Sequence, residues 1–267
     1  MPDELAPPVG SSSDFFRDVD IQLLVHELKS PLSLIEAATR TLLEQPSRLG
    51  SLTERQEKTL KRILRGAVRG RRLVHQLLEI GGAEASQFTL SSFDPAEAVI
   101  KTVLESLESV DSELTGRLSE ESDSDEKLAV LARDGIIIRI APGTRNLRIY
   151  QDSVKFELIV GNLIQNALHF RKNVMQIELY EKGGDVFIVV KDDGPGISPE
   201  HHAMVFERYK QLPASDDLER QGHGLGLAGA LILARRLGGD ISLDSVPGFG
   251  ATFCLRIPRN ETQAQAN

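Results

Sequence analysis

The first eighty residues carry apolar side chains at helical spacing. Over residues 14–44 the apolar positions recur every three or four residues, which predicts one long helix with a single buried face. Pro46 and Gly50 interrupt the pattern, and a second stripe of the same period follows. Thr53, with Gln56 three residues later, is typical of a helix start. The segment is therefore predicted to form two long helices joined by a short loop.

A hairpin of two such helices cannot close a core alone. Pairing of two copies into a four-helix bundle is the economical solution, so residues 14–82 are predicted to form a homodimeric helical hairpin. Gly81 and Gly82 follow the second helix, where a glycine cap and a flexible joint are expected, and they mark the first domain boundary. Residues 1–13 are expected to form a disordered tail.

Beyond Gly82 the periodicity indicates strands and helices in alternation. The predicted strands are 135–141, 175–181, 186–191, 241–244 and 252–257. The predicted helices are 95–107, 153–171, 199–208 and 225–237. This order predicts an α+β protein whose second domain, residues 83–258, is an α/β sandwich with helices on one face of a mixed sheet. Residues 259–267 are expected to be a C-terminal tail.

Residues 105–126 break the pattern with nine acidic side chains and a single basic one, Arg117. Serines are frequent in the same stretch. Such a composition predicts a solvated acidic insertion that is partly disordered.

The composition of the 267 residues, 40% hydrophobic and 26% charged, is that of an ordinary globular protein. A net charge of -8 argues against nucleic acid as a partner. The single Cys254 excludes an intrachain disulfide, and neither a membrane span nor a secretory signal is visible, so a cytoplasmic protein is predicted. Because the first helix begins near Asp14, little room is left before it for a sensory domain, and input from a separate upstream protein is expected.

The motif Asp192-x-Gly194-x-Gly196 directly follows a predicted strand. Its glycines let a flat ligand approach the backbone, and the Asp192 carboxylate can accept a hydrogen bond from an exocyclic amine such as that of adenine. On its own, such a motif is more often only a turn.

A second glycine-rich motif opens the predicted helix 225–237. It is the run Gly222-His-Gly224-Leu225-Gly226-Leu227. Small residues expose the amide N–H groups at a helix N-terminus, where phosphate binds well. A glycine-rich helix start without a ligand is the alternative reading.

Asn162 and Asn166 lie one turn apart on the predicted helix 153–171. An amide oxygen is a suitable ligand for Mg²⁺ carried by phosphates, and a helix-capping or packing role is the alternative for this pair.

In this order, together with Phe206-Glu207-Arg208-Tyr209, the motifs resemble the nucleotide-binding boxes of the histidine kinases, within the superfamily shared with gyrase, Hsp90 and MutL. The stretch Leu24-Val-His26-Glu27-Leu28-Lys29-Ser30-Pro31-Leu32 resembles the phosphoacceptor box of that family. The resemblance covers roughly residues 14–258. It implies a Bergerat-type ATP-binding domain with a mobile lid between Ile197 and Gln221, attached to a dimeric hairpin that bears the phosphorylated histidine.

The resemblance also implies the roles of individual residues. His26 is the implied phosphoacceptor, and Glu27 holds its imidazole tautomer or takes its proton. ATP and Mg²⁺ are the implied cofactors, with Asn166 as the metal ligand. The implied nucleotide-binding residues are Asn162, Asn166, His169, Asp192, Gly194, Gly196, Arg208, Gly222, Gly224, Leu225, Gly226 and Leu227.

Two positions depart from the family pattern. His169 stands where a Lys is usual, so a titratable cation replaces a fixed one and we expect phosphate affinity to vary with pH. Ser30 stands where Thr or Asn is usual, a side chain implicated in dephosphorylating the partner. Ser30 lacks the methyl group that fixes a Thr rotamer, which leaves phosphatase assistance open.

Residues 51–80 hold eight Lys or Arg against three Glu. This basic helix is either a solvated face or a surface that attracts an acidic partner such as the receiver domain of a response regulator.

The sequence therefore predicts a two-component kinase that phosphorylates His26 and passes the phosphoryl group to an Asp of a separate response regulator. An ATP-gated clamp is the second hypothesis, although Asn162 stands where gyrase-type relatives place a water-activating Glu. A non-catalytic interaction module is the third, and the complete glycine boxes argue against it.

Overall fold

The computed structural model describes seven stretches of the chain. They are residues 21–44, 50–81, 88–108, 110–121, 123–144, 146–207 and 226–260. The chain divides into two compact units, Met1–Ser86 and Gln87–Asn267. The predicted N-terminal tail, residues 14–20 of the first predicted helix and the joint residue Gly82 lie outside the described stretches.

The first unit contains two long helices that pack against each other. They are α1, Ile21–Glu44, and α2, Glu54–Gly81. Thr39, Ala67 and Val74 are buried in this hairpin. Gly70 of α2 faces Leu32 of α1, whose side chain would lie 3.1 Å from a Cβ at that position, so the glycine permits close helix contact. The predicted hairpin is present in the described residues.

The start of α2 is fixed by the predicted cap. The backbone N–H and the Oγ1 hydroxyl of Thr53 both donate to Oε1 of Gln56 at 2.8 Å. The Gln56 N–H donates back to Thr53 Oγ1 at 3.3 Å. This reciprocal capping box satisfies donors that the first turn of a helix leaves without partners.

The second unit is built on a five-stranded mixed sheet of order β2-β4-β5-β7-β6, in which only the β2–β4 pair is parallel. Its strands are β2 Ile136–Ile140, β4 Met175–Lys182, β5 Asp185–Asp192, β6 Asp240–Ser245 and β7 Ala251–Pro258. A separate two-stranded sheet joins β1 Ser91–Phe93 to β3 Ile149–Gln151. The five strands match those predicted, whereas β1 and β3 are additional.

Five α-helices accompany these strands in the described part of the second unit. They are α3 Pro95–Glu108, α4 Ser112–Glu120, α5 Ser124–Arg133, α6 Ser153–Phe170 and α7 Gly226–Arg236. Helix α6 contacts β5 and β7, and α7 contacts β6 and β7. Alternate strand residues such as Met175, Ile177 and Leu179 are buried, whereas Gln176 and Glu178 between them are half-exposed. The predicted α+β fold with helices on one face of the sheet is confirmed.

A buried glutamine joins β3 to the carboxyl ends of two other elements. Gln151, 1% exposed, donates from Nε2 to the carbonyl oxygens of Leu237 at 3.2 Å and Pro258 at 3.0 Å. The Tyr150 N–H donates to the Arg259 carbonyl oxygen at 3.0 Å. Arg259, which the sequence places in the C-terminal tail, is therefore part of the fold.

The expectation of a partly disordered insertion at residues 105–126 is wrong for its described residues. Helix α3 continues to Glu108, and α4 and the start of α5 follow. Leu114 and Leu118 are buried at 0% and 4% exposure, four residues apart on α4. Asp111 caps α4 by accepting from the N–H of Leu114 at 2.9 Å. A few leucines at helical spacing thus attach this acidic segment to the core.

The prediction of a helix at residues 199–208 is also wrong for the described residues of that range. Two single 3₁₀ turns, Pro199–His201 and Met204–Phe206, take its place. Arg208 lies outside the described stretches.

Within the stretches that the structure describes, no helix combines the length and apolarity needed to cross a membrane.

Candidate functional site

The Asp192 carboxylate ends strand β5 and is almost fully buried, at 3% exposure. Its Oδ1 atom accepts from the backbone N–H of Gly194 at 2.8 Å and of Ala251 at 3.4 Å. Among the described residues, no donor reaches its Oδ2 atom. A buried acceptor without a partner is costly, so Oδ2 is available to a ligand that brings a donor.

The environment of Asp192 opposes its negative charge. Burial raises the pKa of this carboxyl above its ordinary value, and the hydrogen bonds from Gly194 and Ala251 counteract only part of that rise. The neighbouring Asp193 carboxylate raises it further. A ligand N–H donating to Oδ2 would favour the ionised form.

In the turn after Asp192, neither Gly194 nor Gly196 has room for a side chain. A Cβ at Gly194 would lie 2.5 Å from the carbonyl oxygen of Phe170, the last residue of α6. Gly196 has φ +73°, and a Cβ there would overlap the carbonyl oxygen of Val246. The turn therefore packs between the end of α6 and the β6–β7 turn.

The β6–β7 turn forms a side of the site that the sequence interpretation missed. Ser245 Oγ accepts from the Ile197 N–H at 2.8 Å and donates to the Gly250 carbonyl oxygen at 2.7 Å. Gly250 has φ +84°, and a Cβ there would overlap the Asp192 carbonyl oxygen. The glycine pair Gly248-Phe-Gly250, directly before a predicted strand, was the available signal.

Helix α6 carries three candidate residues at positions i, i+4 and i+7. Asn162 is 9% exposed, and its Nδ2 group donates to the Leu158 carbonyl oxygen at 2.9 Å, as the packing alternative expects. Asn166 is half-buried, and His169 is exposed with its ring edge-to-face on Phe170, the ring centroids 4.6 Å apart. Asn166 and His169 are thus more accessible than Asn162.

Asp193 fixes the loop after α6 to the end of β5. Its carboxylate accepts from the N–H groups of Lys172 and Asn173, and its own N–H donates to the Val174 carbonyl oxygen at 3.2 Å. Burial acts to raise the pKa of Asp193, but backbone hydrogen bonds, in order those of Val174, Asn173 and Lys172, outweigh it and hold the pKa below its ordinary value. The helix bearing Asn166 is therefore held beside the glycine turn.

The glycine-rich motif is described only at its end. Gly226 and Leu227 open α7, and both are half-buried. Leu227 packs against the core. Gly222, Gly224 and Leu225 of this motif lie outside the described stretches, as do Arg208 and the rest of the predicted lid from residue 208 to residue 221.

The candidate phosphoacceptor residues belong to the first unit. His26, Glu27 and Ser30 lie in the first half of α1, and the Ser30 side chain is exposed.

No group of three His, Cys, Asp or Glu side chains in the described stretches is arranged to hold a metal ion. The half-buried side-chain amide of Asn166 offers an oxygen of the type that divalent cations accept as a ligand.

Two family models match this chain. The model described as "His Kinase A (phospho-acceptor) domain" matches residues 21–86, and "Histidine kinase-, DNA gyrase B-, and HSP90-like ATPase" matches residues 151–261. The first match contains His26, and the second contains Asn166 and Asp192. The chain belongs to the histidine kinase family.

Curated relatives of this histidine kinase are longer proteins. It is 30% identical over 254 residues to the sensor histidine kinase TmoS of Ectopseudomonas mendocina, covering 94% of this chain and 23% of TmoS. It is 26% identical over 245 residues to the sensor protein SrrB of Staphylococcus aureus (strain NCTC 8325 / PS 47), covering 88% of this chain and 37% of SrrB. The chain thus spans less than two fifths of either relative.

A solved structure shares the fold of this histidine kinase. Full-length ShkA in complex with AMPPNP aligns with a TM-score of 0.58 at 22% identity, covering 91% of this chain and 46% of ShkA.

Proposed function

We propose that this chain is an ATP-dependent protein histidine kinase that phosphorylates its own His26 and passes the phosphoryl group to an Asp of a separate response regulator. The buried Oδ2 atom of Asp192 carries the proposal, because it is an acceptor available to an adenine amine beside two glycines, Gly194 and Gly196, that have no room for a side chain. The matched ATPase family model and the AMPPNP complex of ShkA support an ATP site, and the matched phospho-acceptor model supports the role of His26.

The nucleotide would be divided between three elements. Asp192, Gly194 and Gly196 receive the adenine base, whose exocyclic amine donates to Oδ2. The phosphates lie towards α6 and the start of α7, where a helix N-terminus favours anions. The proposed phosphate-side residues are Asn162, Asn166, His169, Arg208, Gly222, Gly224, Leu225, Gly226 and Leu227.

Asn166 is the proposed protein ligand of Mg²⁺. The ion supplies charge neutralisation at the phosphates when it is bound. The Asn166 amide oxygen orients the ion, and this role needs the accessibility that distinguishes Asn166 from Asn162.

The transfer step joins one imidazole nitrogen of His26 to the terminal phosphorus of ATP. The bond between that phosphorus and the bridging oxygen breaks, and ADP leaves with the oxygen and the bonding electrons. Glu27 accepts the proton of the other imidazole nitrogen, so that the phosphorylated ring is neutral overall apart from its phosphoryl oxygens. Alignment and charge stabilisation are the main demands that this step makes on the protein.

The hairpin unit is proposed to act as a homodimer. Large apolar side chains remain exposed on both of its helices, among them Leu34 at 71% and Ile63 at 44%. A second hairpin would cover such side chains in a four-helix bundle.

The response regulator is proposed to meet the basic surface of α2. Arg55, Lys58, Lys61 and Arg62 are exposed, and only Lys61 has a close carboxylate, Glu57 at 2.6 Å, among the described residues. A receiver domain presents acidic side chains around its phosphorylated Asp, so charge complementarity would speed the encounter. The exposed Ser30 is the candidate for assisting dephosphorylation, and the cytoplasm is the proposed location.

Incubation with ATP labelled at the terminal phosphate tests the proposal. We expect a label on the protein that is labile in acid and stable in alkali, absent from His26→Gln and retained in the control His75→Gln, which changes another hairpin histidine. Steady ATP turnover without a labelled protein would contradict the kinase and favour the ATP-gated clamp. A label that persists in His26→Gln would overturn the assignment of the phosphoacceptor.

A further inference from the structure

The first described residues of the second unit are tied to the start of helix α6. The Thr89 N–H donates to Asp152 Oδ2 at 3.0 Å, and Lys155 Nζ lies 3.0 Å from the same oxygen. Lys155 Nζ also lies 5.0 Å from the centroid of the Phe88 ring, within the range of a cation–π contact. We call these four residues, Phe88, Thr89, Asp152 and Lys155, the α6 clamp.

The ion pair of the α6 clamp is buried. The side chains of Lys155 and Asp152 are 9% and 3% exposed. Removing two charges from water is costly, so a buried pair is weak support for stability and needs another reason to be present. Burial acts to raise the pKa of Asp152, but hydrogen bonds from Lys155 and Thr89 outweigh it and lower the pKa, which keeps this carboxyl ionised.

Helix capping does not account for Lys155. Asp152 caps α6 through its other oxygen, Oδ1, which accepts from the Lys155 N–H at 3.0 Å. The Lys155 ammonium is directed instead to Oδ2 and to the Phe88 ring, the two points at which residues 88 and 89 are held. These contacts attach the incoming chain, not the helix.

We propose that the α6 clamp fixes the point at which the chain enters the second unit, because it holds Phe88 and Thr89 against the start of α6. Lys155 is then a positioning residue for phosphoryl transfer to His26, and this consequence rests on the proposed function. Strand β1 begins at Ser91 and is paired with β3, so opening the clamp releases residues 88–90 and no more.

The length of chain that the α6 clamp holds gives the expected loss in the rate of phosphoryl transfer. The three released residues, 88–90, span at most about 10 Å when fully extended. The effective concentration of one tethered group around another falls as the tether lengthens, so we expect release of these residues to lower it about twofold. Nucleotide affinity should not change, because the α6 clamp leaves the Asp192 site untouched.

Hydrogen exchange of the full chain tests the α6 clamp independently of catalysis. In Lys155→Met we expect the Thr89 amide to exchange at least about tenfold faster and chymotrypsin to cut after Phe88 faster than in the unchanged chain. Lys101→Met is the matched control, because it removes an exposed lysine that pairs with Glu157 of the same helix at 2.9 Å. Phe88→Ala, which leaves the ion pair intact, should also speed Thr89 exchange. Equal Thr89 exchange in all four proteins would overturn the proposal.

The kinetic test follows labelling of His26 at saturating ATP. We expect Lys155→Met to be slowed about twofold with an unchanged KM for ATP, Lys155→Arg to recover the rate, and Lys101→Met to match the unchanged chain. A KM that rises with the loss of rate would overturn the positioning role. If the unchanged chain incorporates no label, the proposed kinase function fails, while Thr89 exchange still decides whether the α6 clamp exists.

Discussion

The Asp193 carboxylate accepts a hydrogen bond of 2.8 Å from the backbone N–H of Lys172, which joins the end of β5 to the loop that follows α6. The same carboxylate accepts from Asn173. One half-exposed carboxylate at the end of β5 thus helps to hold the loop that follows the helix carrying Asn166.

Replacing Asp193 by Ala should make the free energy of unfolding depend less on pH in the acidic range. The pKa of Asp193 is lowered in the folded chain, so its stabilising effect is fully present above the unfolded pKa of about 3.9 and is lost as the pH falls through the folded pKa. At pH 7 we expect the variant to lose about 1 kcal/mol of unfolding free energy. Urea unfolding at pH 7 and pH 3.5 should show the difference from the unchanged chain shrinking at the lower pH, and a constant difference would contradict this account.

Asp192→Asn should stabilise the nucleotide-free protein while abolishing ATP binding. Burial raises the pKa of Asp192, so the ionised carboxyl opposes folding as the pH rises above its unfolded pKa of about 3.9. Asn keeps an acceptor for the Gly194 N–H without the buried charge, and its NH₂ group cannot accept from an adenine amine. We expect a gain of about 1 kcal/mol at pH 7, or roughly 2–4 °C in Tm, measured by thermal unfolding without nucleotide. A lower Tm in Asp192→Asn would show that the buried charge of Asp192 does not destabilise the nucleotide-free protein.

Gly196→Ala should cost more stability than Gly183→Ala. Both glycines have positive φ, +73° and +65°, so both changes carry the backbone penalty of about 1–2 kcal/mol. Only at Gly196 would the added Cβ also overlap a backbone oxygen, that of Val246, whereas nothing lies within 4 Å at Gly183. Unfolding free energies and ATP titration of both variants test this, with ATP affinity reduced in Gly196→Ala alone. Equal losses in the two would argue against a closely packed turn.

Glu27→Gln should slow the labelling of His26 without changing ATP affinity. An amide retains the shape of the side chain but accepts no proton, and general base catalysis contributes about 10²–10⁴-fold. Single-turnover labelling at saturating ATP, with ATP affinity measured separately, distinguishes this loss from a binding defect. An unchanged labelling rate would remove Glu27 from the transfer step.

Hydrophobic periodicity was sufficient for the elements that carry long apolar patterns, namely the two hairpin helices and the five strands of the main sheet. It failed for β1 and β3, which have three residues each, because so short a strand shows no period. It failed for α4 because the many serines and carboxylates of that stretch indicated a solvated segment. The spacing of Leu114 and Leu118, four residues apart and both buried, was the helical signal. Between Pro199 and Phe206 a sequence that is compatible with a helix forms two 3₁₀ turns instead.

Only some residues of the candidate site could likewise be predicted from the sequence. Asp192, Gly194 and Gly196 are contiguous in sequence, so a motif could reveal them. Ser245 and Gly250 reach the same turn through the pairing of β6 with β7, and local sequence does not encode that register. The orphaned Oδ2 atom of Asp192 was not readable from the sequence, because burial results from packing of the whole unit.

The hydrogen bond between Gln151 and the end of strand β7 matters for the design of shortened variants. Its buried amide donates to the Pro258 carbonyl oxygen, and the Arg259 carbonyl oxygen accepts from the Tyr150 N–H. Ending the chain within the last strand would remove both hydrogen bonds and leave the Gln151 amide with only its bond to the Leu237 carbonyl oxygen. Anyone shortening the gene or fusing a tag should preserve the chain through Arg259.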